Sequence, residues 1–264
     1  HANVQTNVIS DRSFRYGEPE AAFRNAPHRV KLEAHYPRNT CAPIECGVVI
    51  AEYLSGDEGY DVTSNFMGPF SLHAVIALAL NVPANRLRHK APRDSGGSFG
   101  VKQAVFPYVV LMCLASRKAN APVKYVEDRL EHLCAATSAT ARLTTLEAAV
   151  EKDGRITALN YDQVEDCGGY LRAPEPATFY RMHGCLTGAY AIPGLLARNR
   201  VVLTNKTPTG LVRGFGGPQV YFALERLMQR IAIELKLDVL DVYRRNFVPA
   251  DAFPYRAAAG ALLD

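Results

Sequence analysis

Two glycine-rich stretches, each opening onto a predicted helix, constrain this 264-residue chain more than any other feature. The first runs Asp94-Ser95-Gly96-Gly97-Ser98-Phe99-Gly100, ahead of a helix expected from about Gln103 to Lys118, with Pro107 tolerated in its first turn. The second runs from Thr207 to Gln219 and holds Gly210, Gly214, Gly216 and Gly217 around Arg213 and Phe215. It precedes the longest amphipathic pattern, Gln219–Leu237, anchored by Phe222, Leu224, Leu227, Ile231 and Leu235. Adjacent glycines permit positive φ and let a backbone come close to a ligand. Amides exposed beside a helix start suit an anionic oxygen, and Arg213 adds a planar fork of donors. Neither stretch follows a nucleotide-loop pattern such as G-x-G-x-x-G or G-x-x-x-x-G-K-[ST]. On glycine count alone a plain connection is the better reading of the first, and a turn cluster with a solvated Arg accounts for the second. Two such stretches in one chain point to a ligand.

Around them the chain mixes hairpins with helices. Alternation over His28–Tyr36, with Val30, Leu32, Ala34 and Tyr36 on one side, predicts a strand. Cys46–Tyr53, Tyr60–Thr63, Arg86–Lys90, Pro122–Glu127 and Arg198–Thr204 read as further strands, and Thr140–Glu151 with Arg155–Asp166 as a hairpin turned by Asp153-Gly154. Ser71–Asn81 reads as a helix with Ser71 as N-cap, and Tyr180–Thr187 and Asp238–Asn246 as shorter ones. The first fifteen residues look irregular, and Asp166–Pro176 reads as a loop. Few regular βαβ repeats occur, so the fold class is α+β, two-layer mixed sheets with packed helices. The expected division is a sub-lobe over 1–139 with the first glycine loop, a sub-lobe over 140–250 with the second, and a loose tail over 251–264.

Composition excludes more than it assigns. Charged residues make up 21% and apolar ones 48%, an ordinary globular balance. The net charge of +4 comes from scattered Lys and Arg rather than the basic stripe of a nucleic-acid binder. Apolar runs such as Ala74–Leu80 are too short for a membrane span. The six cysteines form no CxxC pair and no zinc-finger spacing, so the expectation is reduced, mostly buried thiols, no metal site and a cytoplasmic location. His28, His35 and His73 read as solvated or core histidines, and His183 as a surface residue, with a pocket-lining place near Arg181 as the alternative. Glu45 reads either as a residue near a pocket mouth or as a structural ion-pair partner, and takes no catalytic role.

Gly96-Gly97-Ser98-Phe99-Gly100-Val101-Lys102 and Arg213-Gly214-Phe215-Gly216-Gly217-Pro218-Gln219 resemble the two signature loops of the xanthine dehydrogenase/aldehyde oxidase family, the molybdenum hydroxylases, in their large molybdopterin-binding subunit. Ala42-Pro43-Ile44-Glu45-Cys46 and Leu78-Ala79-Leu80-Asn81-Val82-Pro83 are similar to it as well. The resemblance implies a fold of the molybdenum cofactor-binding type. It also implies a pyranopterin-bound molybdenum, with the cytosine dinucleotide form expected, and oxidation of an aldehyde or N-heteroaromatic substrate with water-derived oxygen. Electrons would leave through 2Fe-2S clusters and FAD on partner subunits or domains. Gly96, Gly97, Ser98, Phe99, Gly100, Arg213, Gly214, Phe215 and Gly216 would then face the cofactor. Phe99, Gln103, Arg181, Phe215 and Met67 would line the substrate pocket, and Arg213 would stabilise charge developing on substrate oxygen.

Departures from the family pattern sharpen the reading. Met67-Gly68-Pro69 stands where relatives carry Gln-Gly-Pro, and Ser98 where many have a third glycine. Gln103 replaces the Glu of purine-oxidising members, and Gly214 the copper-binding Cys of carbon monoxide dehydrogenases. The Gly-x-Gly-Glu stretch that carries the family's general base does not occur. With His1 in place of an initiator Met, these gaps lead to the expectation that 1–264 is the first cofactor-binding lobe of a longer subunit, inactive alone. A non-catalytic scaffold relative and a phosphate-binding domain of other fold stay open as alternatives.

Overall fold

The computed structural model describes residues 5–172 and 177–264. In chain order they form β1 (Val8–Tyr16), α1 (Pro19–Asn25), β2 (His28–Tyr36), β3 (Val48–Leu54), β4 (Gly59–Ser64), α2 (His73–Ala79), β5 (Leu87–Lys90), α3 (Phe106–Ala119), β6 (Val123–Val126) and α4 (Arg129–Ala135). There follow β7 (Ala141–Val150), β8 (Ile156–Asp166), α5 (Ala177–Arg181), β9 (Gly194–Val202), α6 (Gly217–Leu235), α7 (Val239–Asn246) and a small hairpin of β10 (Tyr255–Arg256) and β11 (Leu262–Leu263).

These elements divide into two compact units, each with its own mixed sheet and helical layer. One gathers the described residues of His1–Arg38, Thr140–Thr209 and Gly214–Asp264; the other holds Asn39–Ala139 and Gly210–Arg213. The chain passes from the second unit to the first between Ala139 and Thr140. However, the opening 38 residues fold with the later part of the chain, because β2 pairs antiparallel with β7 (Leu32 opposite Leu146) and β1 with β9 (Phe14 opposite Ala197). Such long-range pairing leaves no local trace in sequence.

The first unit carries a five-stranded sheet in the order β1-β9-β8-β7-β2. Inward residues Val30, Leu146, Ala148, Leu159 and Tyr161 meet Val220, Leu224, Leu227, Met228 and Ile231 of α6, burial that drives the two layers together. The β7–β8 hairpin turns at Asp153-Gly154 as expected, with Gly154 at φ 89°. The second unit carries a four-stranded sheet, β5-β4-β3-β6. Here Val49, Ala51, Tyr60 and Val62 pack on Ile76 and Ala77 of α2 and on Val109 and Cys113 of α3.

Several local expectations need correction. The irregular N-terminal stretch contains the edge strand β1, whose side chains are mostly exposed and so carry no clean alternation. Ser71 caps nothing: its hydroxyl donates to Gly68 O at 2.8 Å, and α2 has no side-chain cap. Tyr180–Thr187 is the end of α5 followed by a 3-10 turn over His183–Cys185. The tail holds the β10–β11 hairpin and the buried Ala257. The expected loop 166–176 lies partly outside the described residues. All six cysteines are free, but only Cys113 and Cys167 are buried, and Cys134 is exposed. Burial pushes the Cys113 thiol up to about 12, which leaves it chemically inert.

Candidate functional site

The two glycine-rich stretches share a left-handed Phe-Gly step. In the first, Gly97, Phe99 and Gly100 have φ of 94°, 51° and 104°; in the second, Gly214, Phe215 and Gly216 have 90°, 43° and 89°. Positive φ is ordinary for glycine and an outlier for phenylalanine, at a cost of about 1–2 kcal/mol. Gly100 and Gly216 are the residues just before a 3-10 turn (Val101–Val105) and α6 respectively. Strain of this kind persists where the surroundings over-determine it, and it collects at ligand-facing sites.

The conformation leaves amides without a protein partner. Among the described residues, the N–H groups of Gly97, Ser98 and Phe99 find no protein acceptor, and neither do those of Gly214, Phe215 and Gly216. Three consecutive unpaired donors at each loop make a ready cradle for oxygen-rich anions. Ser98 itself lies outside the left-handed region, so a third glycine is not required there. Its hydroxyl instead accepts from Gly100 N (3.3 Å) and Lys102 N (3.4 Å) and ties the turn.

The four-stranded unit brings several predicted residues together. Residues 210–213 belong to it, and Arg213 N donates to Phe99 O at 2.8 Å. Leu211 approaches so closely that a Cβ on Gly100 would stand 2.6 Å from its carbonyl oxygen. The Arg213 side chain is exposed, and no ion pair with it occurs among the described residues. The Phe99 ring is 47% exposed. Met67 joins the group through its N–H to Lys102 O (3.4 Å), and Gln103 places a solvent-excluded Oε1 with no donor to meet it among the described residues. In the five-stranded unit, Gly214, Phe215 and Gly216 keep company with Arg181, whose guanidinium lies 5.2 Å above the Phe215 ring.

Each loop is braced by a buried cation paired with a carboxylate, which sequence reasoning only half anticipated. In the four-stranded unit Lys102 is 1% exposed and its Nζ pairs with Glu45 Oε2, which also accepts from Gly96 N at 3.0 Å. Glu45 is thus an ion-pair partner of Lys102, one of its two expected readings. Burial pushes its carboxyl up, but the hydrogen bonds from Lys102, Asn65 and Gly96 and the Lys102 charge outweigh this and hold it below the usual range. In the five-stranded unit Arg142 and Glu165 are both fully buried and pair at 3.2 Å, Asn199 adds a donor to Glu165, and Arg142 Nη1 donates to Gly216 O at 3.4 Å. Nothing in the sequence marks Arg142 as buried. Of the histidines, His183 is half-buried among Phe14, Tyr16 and Phe179 rather than at the surface.

A profile of the molybdopterin cofactor-binding domain matches residues 1–247. The chain belongs to that family. Curated relatives include subunit gamma of the 6-hydroxypseudooxynicotine dehydrogenase complex of Paenarthrobacter nicotinovorans, 32% identical over 91% of this chain and 30% of the relative. The carbon monoxide dehydrogenase large chain of Hydrogenophaga pseudoflava is also 32% identical, over 91% of this chain and 30% of its own. Among solved structures, quinoline 2-oxidoreductase from Pseudomonas putida 86 superposes with a TM-score of 0.91 and 28% identity, covering 99% of this chain and 34% of that one. The chain thus spans about a third of the length of the relatives it matches. The expected family and its α+β fold stand. The residues fit the family's cofactor: in each loop, amides without a protein acceptor among the described residues suit its oxygens and phosphates.

Proposed function

We propose that this chain is a cofactor-binding part of a molybdenum hydroxylase large subunit that oxidises an aldehyde or N-heteroaromatic compound. The observation that carries the reading is the repeated left-handed Phe-Gly step with three unpaired amides, present in both loops. When bound, the molybdenum-pterin group supplies two-electron oxidation with water-derived oxygen. The amides of Gly97, Ser98 and Phe99, shaped by Gly96 and Gly100, donate to it from the first loop, and those of Gly214, Phe215 and Gly216 from the second. Arg213, free of any carboxylate among the described residues, stabilises negative charge as it grows on substrate oxygen. Phe99 and Phe215 offer aromatic faces to a planar ring, with Arg181 enriching the latter site. Gln103 Oε1 accepts from a substrate N–H or O–H, since a buried acceptor left unpaired is costly. Met67 contributes apolar contact and no hydrogen bond.

A heteroaromatic substrate is favoured over carbon monoxide. The relatives' names include nicotine- and quinoline-oxidising proteins, and Gly214 offers no thiolate. The general base lies outside this chain, so the chain alone is inactive; iron–sulfur and flavin partners and a cytoplasmic location complete the proposal. Among the described residues no helix is long and apolar enough to cross a membrane. Met67 in place of a hydrogen-bonding Gln keeps one other reading in play, a scaffold relative that holds no metal.

The test uses the full subunit co-expressed with its redox partners and measures molybdenum per chain and dye-linked oxidation. Gly97→Val forces a β-branched residue into φ 94° and should empty the site of metal. Arg213→Ala should keep metal and lose turnover. Full metal and activity in Gly97→Val would overturn the proposal, and a folded wild-type subunit without molybdenum would favour the scaffold.

A further inference from the structure

A second cluster in the four-stranded unit is built from residues outside the two glycine loops. Cys46 Sγ, a Glu127 carboxylate oxygen and a His132 ring nitrogen all lie within 4.8 Å of one another. We propose that these three side chains form a binding site for one zinc-class divalent ion.

The fold assembles the trio from three elements. Cys46 enters β3, Glu127 leaves β6, and the antiparallel pairing of Val48 with Val126 sets them side by side. Gly47 cements the junction: its N–H donates to Glu127 Oε2 at 2.7 Å, and its carbonyl accepts from Glu127 N at 2.8 Å. A reciprocal capping box, Asp128 with Glu131, starts α4 at once. His132 consequently comes round one turn later, with Nδ1 3.0 Å from Glu127 Oε2. Asn65 Nδ2 donates to Cys46 O at 2.8 Å and pins the cysteine backbone.

Three features make this a ligand set. First, the donors are chemically matched: thiolate, imidazole and carboxylate suit zinc and disfavour magnesium or calcium, which prefer oxygen alone. Second, His132 is already oriented as a ligating histidine would be. Its Nε2–H donates to Cys41 O at 3.2 Å, which leaves Nδ1 facing the other two groups; metal-bound imidazoles characteristically donate their second N–H to a carbonyl or carboxylate. Third, Glu127 and His132 are 7% and 3% exposed, while Cys46 is half-buried and gives an ion its way in. Zinc bond lengths place tetrahedral ligand atoms roughly 3.3–3.8 Å apart, so movements of about 1 Å close the trio around an ion with a fourth position left for water. The separation of the three residues along the chain explains why cysteine spacing revealed nothing.

The site also touches the first loop. His132 holds Cys41 O, and the Cys41 thiol lies 4.0 Å from Phe99 O. Glu45, which clamps Gly96, is the neighbour of Cys46. A bound ion would therefore stiffen the segment that carries the loop, whatever the loop binds.

The experiment titrates the purified, EDTA-treated chain with Zn2+ against a chromogenic chelator, and with Co2+ as a spectroscopic probe. The expected result is one ion per chain with a thiolate-to-cobalt charge-transfer band. Cys46→Ser should abolish that band and weaken zinc by at least about tenfold, with the far-ultraviolet dichroism unchanged. Cys134→Ser, on an exposed thiol, should change neither. His132→Gln, which keeps a donor toward Cys41 O, should shift the cobalt spectrum. Absence of the band in the folded wild type, or its survival in Cys46→Ser, overturns the proposal. Molybdenum content plays no part in the readout, so this result stands apart from that of the glycine loops.

Discussion

Glu45→Ala tests how the first loop is held. The Lys102 ammonium is 1% exposed, and Glu45, 34% exposed, is the carboxylate it meets. Removing one partner of a buried pair costs about 3–5 kcal/mol, because the remaining charge stays desolvated and unpaired. Water reaches Glu45 from its exposed third, which places the loss near the lower end, about 3 kcal/mol. For a chain of this size, that corresponds to roughly 6–12 °C in Tm. With no tryptophan in the sequence, urea unfolding is followed by circular dichroism. Hydrogen exchange of peptides spanning 95–102 shows whether the loss is local, since Gly96 N also loses its acceptor. The double change Glu45→Leu with Lys102→Met should recover much of the stability, as replacing both charges removes the desolvation penalty. A single variant within about 0.5 kcal/mol of wild type, with unchanged exchange at the loop, would refute the bracing argument. The pH dependence has a defined sign. A carboxyl held below its usual range stabilises the fold above the unfolded value near 4.3 and loses that contribution as pH falls.

The counterpart in the other unit is Glu165→Gln, which takes the carboxylate charge away from the fully buried Arg142; calorimetry should show a loss of about 3–5 kcal/mol, with faster amide exchange at 214–217. Phe99→Asn places a residue tolerant of left-handed φ where a half-exposed ring now stands. Its urea midpoint should match wild type or rise by up to about 1 kcal/mol equivalent, while substrate turnover in the full enzyme falls. Burial, with the nearby His73 charge, pushes His89 down to about 4. Between that value and about 6.5 the unfolded chain binds the extra proton, so stability falls on acidification from pH 7 to pH 4. His89→Gln should flatten that slope, measured as the urea midpoint at pH 7 and pH 5.

What the sequence reveals and what it hides follow from the range of the interactions involved. The β7–β8 hairpin, β2 and α6 are readable because their signals, Asp153-Gly154 and apolar periodicity, lie within one element. The glycine loops are readable as motifs, yet glycine content alone does not disclose that Phe99 and Phe215 share their left-handed state. The edge strand β1 is hidden because its partner β9 lies far along the chain and its own side chains are mostly exposed. Burial of Lys102 and Arg142 is hidden for the same reason: desolvation belongs to packing, not to residue type. These two buried cations explain how the strain is kept. A phenylalanine at positive φ would relax if its loop were free to move. In each unit, however, one side of the loop is tied to a buried ion pair, through Gly96 to Glu45 and through Gly216 to Arg142. Weakening either pair should therefore release a Phe-Gly step toward ordinary dihedrals and withdraw its amides. Loss of ligand affinity should then accompany loss of stability in Glu45→Ala and Glu165→Gln, whereas Phe99→Asn should separate the two.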